Sequence, residues 1–118
     1  MCSSDLAAEQ RYVTIGRDVA DTTPPNAVVF AMQHSGSIRF YTGRLTVRYD
    51  SLPPESLDRA MALLRARGFR PYFLLEEWEE PAFRARFART SAAGRLDWRP
   101  ARKWTAPAPV ALYDPVDR

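Results

Sequence analysis

Residues 27–32, Ala27-Val28-Val29-Phe30-Ala31-Met32, decide the fold of this 118-residue chain. The run is continuously apolar and rich in β-branched residues, and it is too short for a buried helix, so it predicts a strand covered on both faces, as in a parallel sheet. Residues 71–75 form a second apolar run, which predicts a central strand. Residues 45–49 alternate between apolar and polar side chains, which predicts a half-buried strand.

Helical spacing occurs between these strands. A helix that Pro54 opens is closed by Gly68, which supplies a left-handed cap. Another helix begins near Pro81 and turns Phe83 and Phe87 towards the core. The remaining expected elements are a helix over 6–20, a short helical turn over 38–41, and irregular structure or edge strands around 95–98 and 110–113.

Strands that alternate with helices predict a small three-layer α/β domain of Rossmann-like type. The expected sheet is mostly parallel, with three to five strands and flanking helices, and its last strand could be antiparallel. The link over 34–44 is close to the minimum of about 10–12 residues for a parallel crossover, so the first two strands could instead pair differently. We expect a connecting helix and linker over 7–25 and a single α/β domain over 26–118.

The composition excludes several classes of protein. The chain is 46% hydrophobic and 26% charged, with a net charge of +3, which is typical of a folded soluble domain. Cys2 is the only cysteine, which excludes a disulfide framework and a zinc ribbon. Residues 1–6 look like the translation of a sequencing adapter, so we expect them to be an artefact and the natural protein to continue upstream of residue 7.

Polar residues follow each predicted strand, where ligands bind in open α/β sheets. The candidate ligand-binding residues are Gln33, His34, Ser35, Gly36 and Ser37 after the first strand, Asp50 after the second, Glu76 and Glu77 after the third, and the nearby Arg39 and Arg44. The turn over 35–37 and the two arginines would hold a phosphate or carboxylate. A structural role is the alternative, in which the serine caps a helix and the arginines pair with the acids.

No motif in the chain indicates an autonomous enzyme. A triad of His34, Asp50 and a serine of the 35–37 turn lacks the strained elbow and oxyanion site of such centres. A single histidine cannot form a metal cluster. Asp50 paired with Glu76 or Glu77 would need a raised carboxyl pKa for acid–base work, and arginine partners would lower that pKa. Phosphate loops, dinucleotide fingerprints and zinc protease motifs are absent. We therefore predict no catalytic residue, no metal and no cofactor.

Basic residues are concentrated late in the chain. Over 84–103 the sequence has six arginines and one lysine, and Asp97 is their only counter-charge: Arg84, Arg86, Arg89, Arg95, Arg99, Arg102 and Lys103. This stretch would contact an anionic surface such as lipid headgroups, or remain solvated. The nearby Phe83, Phe87, Trp98 and Trp104 also raise nucleic-acid binding as an alternative.

A wider set of residues carries a resemblance to a known family. These residues are Gln33–Tyr41, Gly43-Arg44, Arg48-Tyr49-Asp50, Tyr72–Glu79, Phe83–Phe87, Leu96-Asp97-Trp98 and Leu112–Pro115. The pattern resembles the soluble C-terminal region of bacterial polytopic membrane proteins that are glycosyltransferase-like and related to the family 39 protein mannosyltransferases of the GT-C superfamily. In that family the membrane portion carries the acidic catalytic residue and binds a lipid-phosphate sugar donor, and the soluble tail is extracytoplasmic.

The resemblance implies an accessory, periplasmic domain of a membrane glycosyltransferase-like protein, which is not catalytic alone. Its expected partners are the membrane portion of the same parent chain and a lipid-linked sugar or glycan acceptor, so that its ligand would be polar or anionic. The first alternative is a free-standing small α/β module that binds a ligand or a partner. The second is nucleic-acid binding through residues 84–103.

Overall fold

The computed structural model describes residues 3–32, 38–39, 42–105 and 109–117, and within these ranges it describes side chains from residue 13 to residue 116. The helices are α1 (Ser3–Thr22), α2 (Leu57–Ala66) and α3 (Glu80–Phe87). The strands are β1 (Ala27–Ala31), β2 (Leu45–Arg48), β3 (Arg70–Glu76), β4 (Arg102–Trp104) and β5 (Val110–Tyr113).

The five strands form one mixed sheet in the order β2-β1-β3-β5-β4. Strands β2, β1 and β3 are parallel, whereas β5 runs antiparallel to both β3 and β4. This confirms the predicted α/β class, the central position of β3 and the antiparallel last strand. The alternative pairing of the first two strands is wrong, because β1 and β2 are parallel neighbours that pair Val28 with Leu45.

Helices cover both faces of the sheet, which explains why every residue of β1 is buried. Phe30 lies in one buried cluster with Phe83 and Phe87 of α3, as the predicted inward face requires. Val29 points to the opposite face, where it shares a second cluster with Val19 of α1. Successive strand residues thus face two separate apolar layers, and this gives the three-layer architecture.

The two parallel crossovers lie on opposite faces of the sheet. Ile38, in the link from β1 to β2, belongs to the cluster on the α1 face. Leu57 and Met61 of α2, in the link from β2 to β3, belong to the cluster on the other face. The order in which strands are added therefore reverses between β1 and β3, since β2 lies on one side of β1 and β3 lies on the other. In open α/β sheets, ligands bind beyond the carboxyl ends of the strands at such a reversal.

Two local predictions are wrong. Helix α2 begins three residues after Pro54, because a turn that the Ser56 N–H closes onto the Pro53 carbonyl at 3.0 Å precedes it. The expectation of edge strands is also wrong: residues 95–98 form no strand, since Leu96 has a left-handed φ of 51° that interrupts an extended backbone, and β5 lies between β3 and β4. The left-handed cap at Gly68 is confirmed by its φ of 86°.

Helix α1 is longer than the predicted 6–20, since it begins at Ser3. Residues 3–6 are thus helical, and their adapter origin stays a prediction. In the described part of the chain, no helix combines the length and the apolar character that crossing a membrane requires.

Candidate functional site

The predicted ligand-binding residues follow the carboxyl ends of three strands that are parallel, so these ends share one edge of the sheet. Gln33, His34, Ser35, Gly36 and Ser37 lie outside the described residues. The structure places the other five predicted residues, which are Arg39, Arg44, Asp50, Glu76 and Glu77. Three of these five are engaged in contacts within the fold.

Arg44 fastens the end of α1 to the sheet. Its Nη2 donates to the carbonyl oxygens of Ala20 and Thr23, each at 3.1 Å, and its Nη1 donates to the Thr42 carbonyl at 3.3 Å. Carbonyls in the last turn of a helix lack intrahelical partners, so the guanidinium satisfies them. Arg44 therefore has a structural role here, whereas Arg39 has an exposed side chain.

Asp50 is bound by a neighbour on its own strand end. Arg48 Nε and Nη2 donate to its two carboxylate oxygens at 3.1 and 2.8 Å. Both side chains are exposed, so the pair contributes little to stability. The expectation that an arginine neutralises Asp50 is met by Arg48 instead of by the predicted Arg39 or Arg44.

A buried carboxylate network holds the end of β3. The Glu76 N–H donates to Glu79 Oε2 at 3.0 Å, and the Tyr49 hydroxyl donates to Glu79 Oε1 at 2.5 Å. Only 1% of Glu79 is exposed. Burial raises the pKa of Tyr49, and the hydrogen bond to Glu79 raises it further, so the hydroxyl keeps its proton. The network fastens the turn after β3 onto the residue that follows β2.

Glu79 was not among the predicted site residues, although a signal for it is present in the sequence. In a capping box, a glutamate lies three residues after the N-cap, which is the residue that precedes the helical turn. Glu76 and Glu79 have this spacing, and the structure forms the corresponding contact.

Trp78 gives the same edge an exposed aromatic face. The residue is 58% exposed, and its indole N–H donates to the Glu76 carboxylate, which fixes the ring. The exposed Glu77 precedes it. A fixed indole offers an apolar surface to the C–H face of a sugar ring, while a carboxylate accepts hydrogen bonds from sugar hydroxyls. Trp78 was not among the predicted site residues, and its signal in the sequence is a large aromatic residue between acids directly after a buried strand.

Glu77 also borders an open groove of about 840 Å³ between α3 and the ribbon of β4 and β5. We call this the basic groove. Its charged lining residues are Glu77, Glu80, Arg84, Arg99, Arg102 and Lys103. Four of the seven cations that the sequence places over 84–103 thus meet at one concave surface.

The aromatic residues beside the basic stretch do not offer stacking surfaces in the groove. Phe83 and Phe87 are completely buried in the core, as their helical spacing predicts. Trp104 is 9% exposed and its indole N–H donates to Asp18 at 2.7 Å. Trp98 is half-buried and donates to a backbone carbonyl at 3.0 Å.

The comparisons with known proteins give no relative. No protein-family model matches the chain, and no curated protein or solved structure matches it. Within the described ranges, no group of three or more His, Cys, Asp or Glu side chains is arranged to hold a metal ion.

Proposed function

We propose that this chain is an accessory domain of a membrane glycosyltransferase-like protein and that it binds a glycan on the extracytoplasmic side without catalysing the transfer. The proposal of such a parent protein rests on the resemblance of the sequence to that family. The observation that supports a binding role is the exposed Trp78 beside Glu77. Both residues directly follow β3, at the place in the sheet where the strand order reverses.

The contacts of the strand-end acids support a binding role over a catalytic one. A general acid or base must reach its substrate with a free carboxyl oxygen. Two N–H groups of Arg48 donate to the two carboxylate oxygens of Asp50, and the buried Glu79 accepts the Tyr49 hydroxyl. The Glu76 carboxylate accepts the indole N–H of Trp78. These acids shape the site, and Glu77 is the exposed acid that remains to contact a ligand.

Nuclear magnetic resonance tests glycan binding directly. The probes are manno-, malto- and chito-oligosaccharides, added in turn to the labelled 118-residue chain. We expect at least one of them to shift the indole N–H resonance of Trp78 and to lose binding in Trp78→Ala. The matched control is Leu63→Ala, since Leu63 is also an exposed apolar residue, at 53%, but lies on α2. Unchanged binding by Trp78→Ala would contradict the assigned site.

The parent protein is tested separately by the reading frame upstream of residue 7. We expect this frame to encode several apolar segments of about 20 residues each, long enough to span a membrane. A short, complete gene that starts near residue 7 would leave only the alternative of a free-standing α/β binding module. The oligosaccharide titration would still test glycan binding in that case.

A further inference from the structure

The geometry of the basic groove points to a second site, which we infer binds a ligand with two or more phosphoryl charges. The groove adjoins the proposed glycan site, since Glu77 borders both, but none of its cations belongs to the strand-end residues. The cations come from three places in the fold: Arg84 from α3, Arg99 from the loop before β4, and Arg102 and Lys103 from β4.

The charge of the groove favours an anion. Four cationic side chains line it against two carboxylates, Glu77 and Glu80. A concave surface lined mainly by one sign of charge concentrates ligands of the opposite sign. Prolines and alanines form much of the remaining lining, so the cations are set around an apolar floor.

Two of the four cations are already oriented by the fold. Arg84 donates to the Arg95 carbonyl at 2.9 Å and lies 3.2 Å from Glu80. Glu80 in turn accepts the Tyr113 hydroxyl at 3.2 Å, so it is held on its other side as well. Arg102 pairs with Asp18 at 3.2 Å. These contacts reduce the entropy that ordering the two guanidinium groups would cost on binding.

The other two cations are available to a ligand. Arg99 and Lys103 are exposed, and within the described part of the chain they form no ion pair. A guanidinium offers paired N–H donors that match two oxygens of one phosphate, and an ammonium adds a compact charge beside it. The groove volume of about 840 Å³ leaves room for a diphosphate or a phosphate ester.

A nucleic acid fits this surface less well. Single-stranded nucleic acids are bound by cations together with aromatic side chains on which bases stack. Phe83, Phe87 and Trp104 are buried, and Tyr113, the aromatic residue that lines the groove within the described part of the chain, is 6% exposed.

Calorimetry with inorganic pyrophosphate at low salt tests the site in the 118-residue chain. We expect Arg99→Ala/Lys103→Ala to weaken binding about tenfold or more, as the loss of charged hydrogen bonds requires. Arg99→Lys/Lys103→Arg should keep most of the affinity. The matched control, Arg59→Ala/Arg65→Ala, removes the same charge from exposed positions of α2, and its affinity should change less than threefold.

Vesicles distinguish the two sources of a phosphoryl group. One set contains phosphatidate in phosphatidylcholine, and the other contains phosphatidylcholine alone. If the protein sediments with phosphatidate vesicles and pyrophosphate abolishes this sedimentation, the ligand is a lipid headgroup. If the protein binds pyrophosphate but does not sediment with the vesicles, the ligand is a soluble phosphate.

Three results would overturn the inference. One is the absence of binding to both pyrophosphate and phosphatidate. Another is an equal loss of affinity in the groove variant and the α2 control, which would indicate net charge alone. The last is tighter binding to a single-stranded oligonucleotide that pyrophosphate fails to displace. Circular dichroism of each variant confirms that the fold is retained, and the exposed positions of all four substituted residues make this the expected result.

Discussion

Replacing Tyr49 with phenylalanine removes one hydroxyl from the contact that joins the end of β2 to the turn after β3. The hydroxyl donates to Glu79 at 2.5 Å, and Glu79 is 1% exposed. The ring itself would stay in place, because it packs edge-on against Phe83 at a centroid distance of 5.1 Å. The substitution therefore isolates the hydrogen bond.

The expected cost follows from the burial of the acceptor. A hydrogen bond to a charged group contributes about 1.5–3 kcal/mol, and a carboxylate that loses a donor in the core cannot replace it with water. We expect Tyr49→Phe to lower the free energy of unfolding by about 2 kcal/mol. With a urea dependence of about 1–3 kcal/mol per molar, the midpoint should fall by roughly 1 M.

Urea denaturation followed by circular dichroism measures this change. The matched control is Tyr113→Phe, which removes the same hydroxyl from a longer contact of 3.2 Å to Glu80. Glu80 is only partly buried, so water can replace the lost donor, and we expect a cost of about 0.5–1 kcal/mol. Equal losses of unfolding free energy in the two variants would refute the conclusion that the buried Glu79 depends on the Tyr49 hydroxyl as a donor.

Three further predictions concern other parts of the fold. Arg44→Met should cost about 1–3 kcal/mol in urea denaturation and speed amide exchange at the end of α1, since the carbonyls of Ala20 in α1 and of Thr23 just after it lose their donor. Gly94→Ala should cost about 3 kcal/mol, because its methyl group would lie 2.5 Å from a backbone carbon, whereas Gly68→Ala, at a φ of 86° in open space, should cost about 1–2 kcal/mol in the same assay. Burial raises the pKa of Tyr113 to about 12 and also raises that of Tyr49. Tyrosines in the unfolded chain ionise near pH 10, so the free energy of unfolding from urea denaturation should hold below pH 10. It should fall from pH 10 to 12, by up to about 1.4 kcal/mol per pH unit for each tyrosine, and Tyr113→Phe should make the fall shallower.

Part of the candidate site could be predicted from the sequence. The rule that ligands bind beyond parallel strand ends directed attention to residues that follow β2 and β3, and the parallel pairing of these strands with β1 brings their ends to one edge. The role of Arg44 could not be predicted, because its acceptors, Ala20 and Thr23, lie 24 and 21 positions away. Nothing in local spacing specifies such a partner.

The sequence by itself determined the elements whose signal is local. The continuous apolar runs of β1 and β3 require cover on both faces, Phe83 and Phe87 recur at helical spacing, and Gly68 tolerates the left-handed cap. Each of these depends on residues within a few positions of one another, so short-range periodicity and backbone sterics are enough to predict them.

Only the tertiary structure decided which distant residues meet. The indole of Trp104 binds Asp18 across 86 positions of the chain, and the basic groove collects cations from α3, a loop and β4. The placement of the two crossovers on opposite faces of the sheet likewise depends on how whole elements pack. Such contacts are selected by the burial of apolar surface over the entire sheet, and no local pattern of residues encodes that choice.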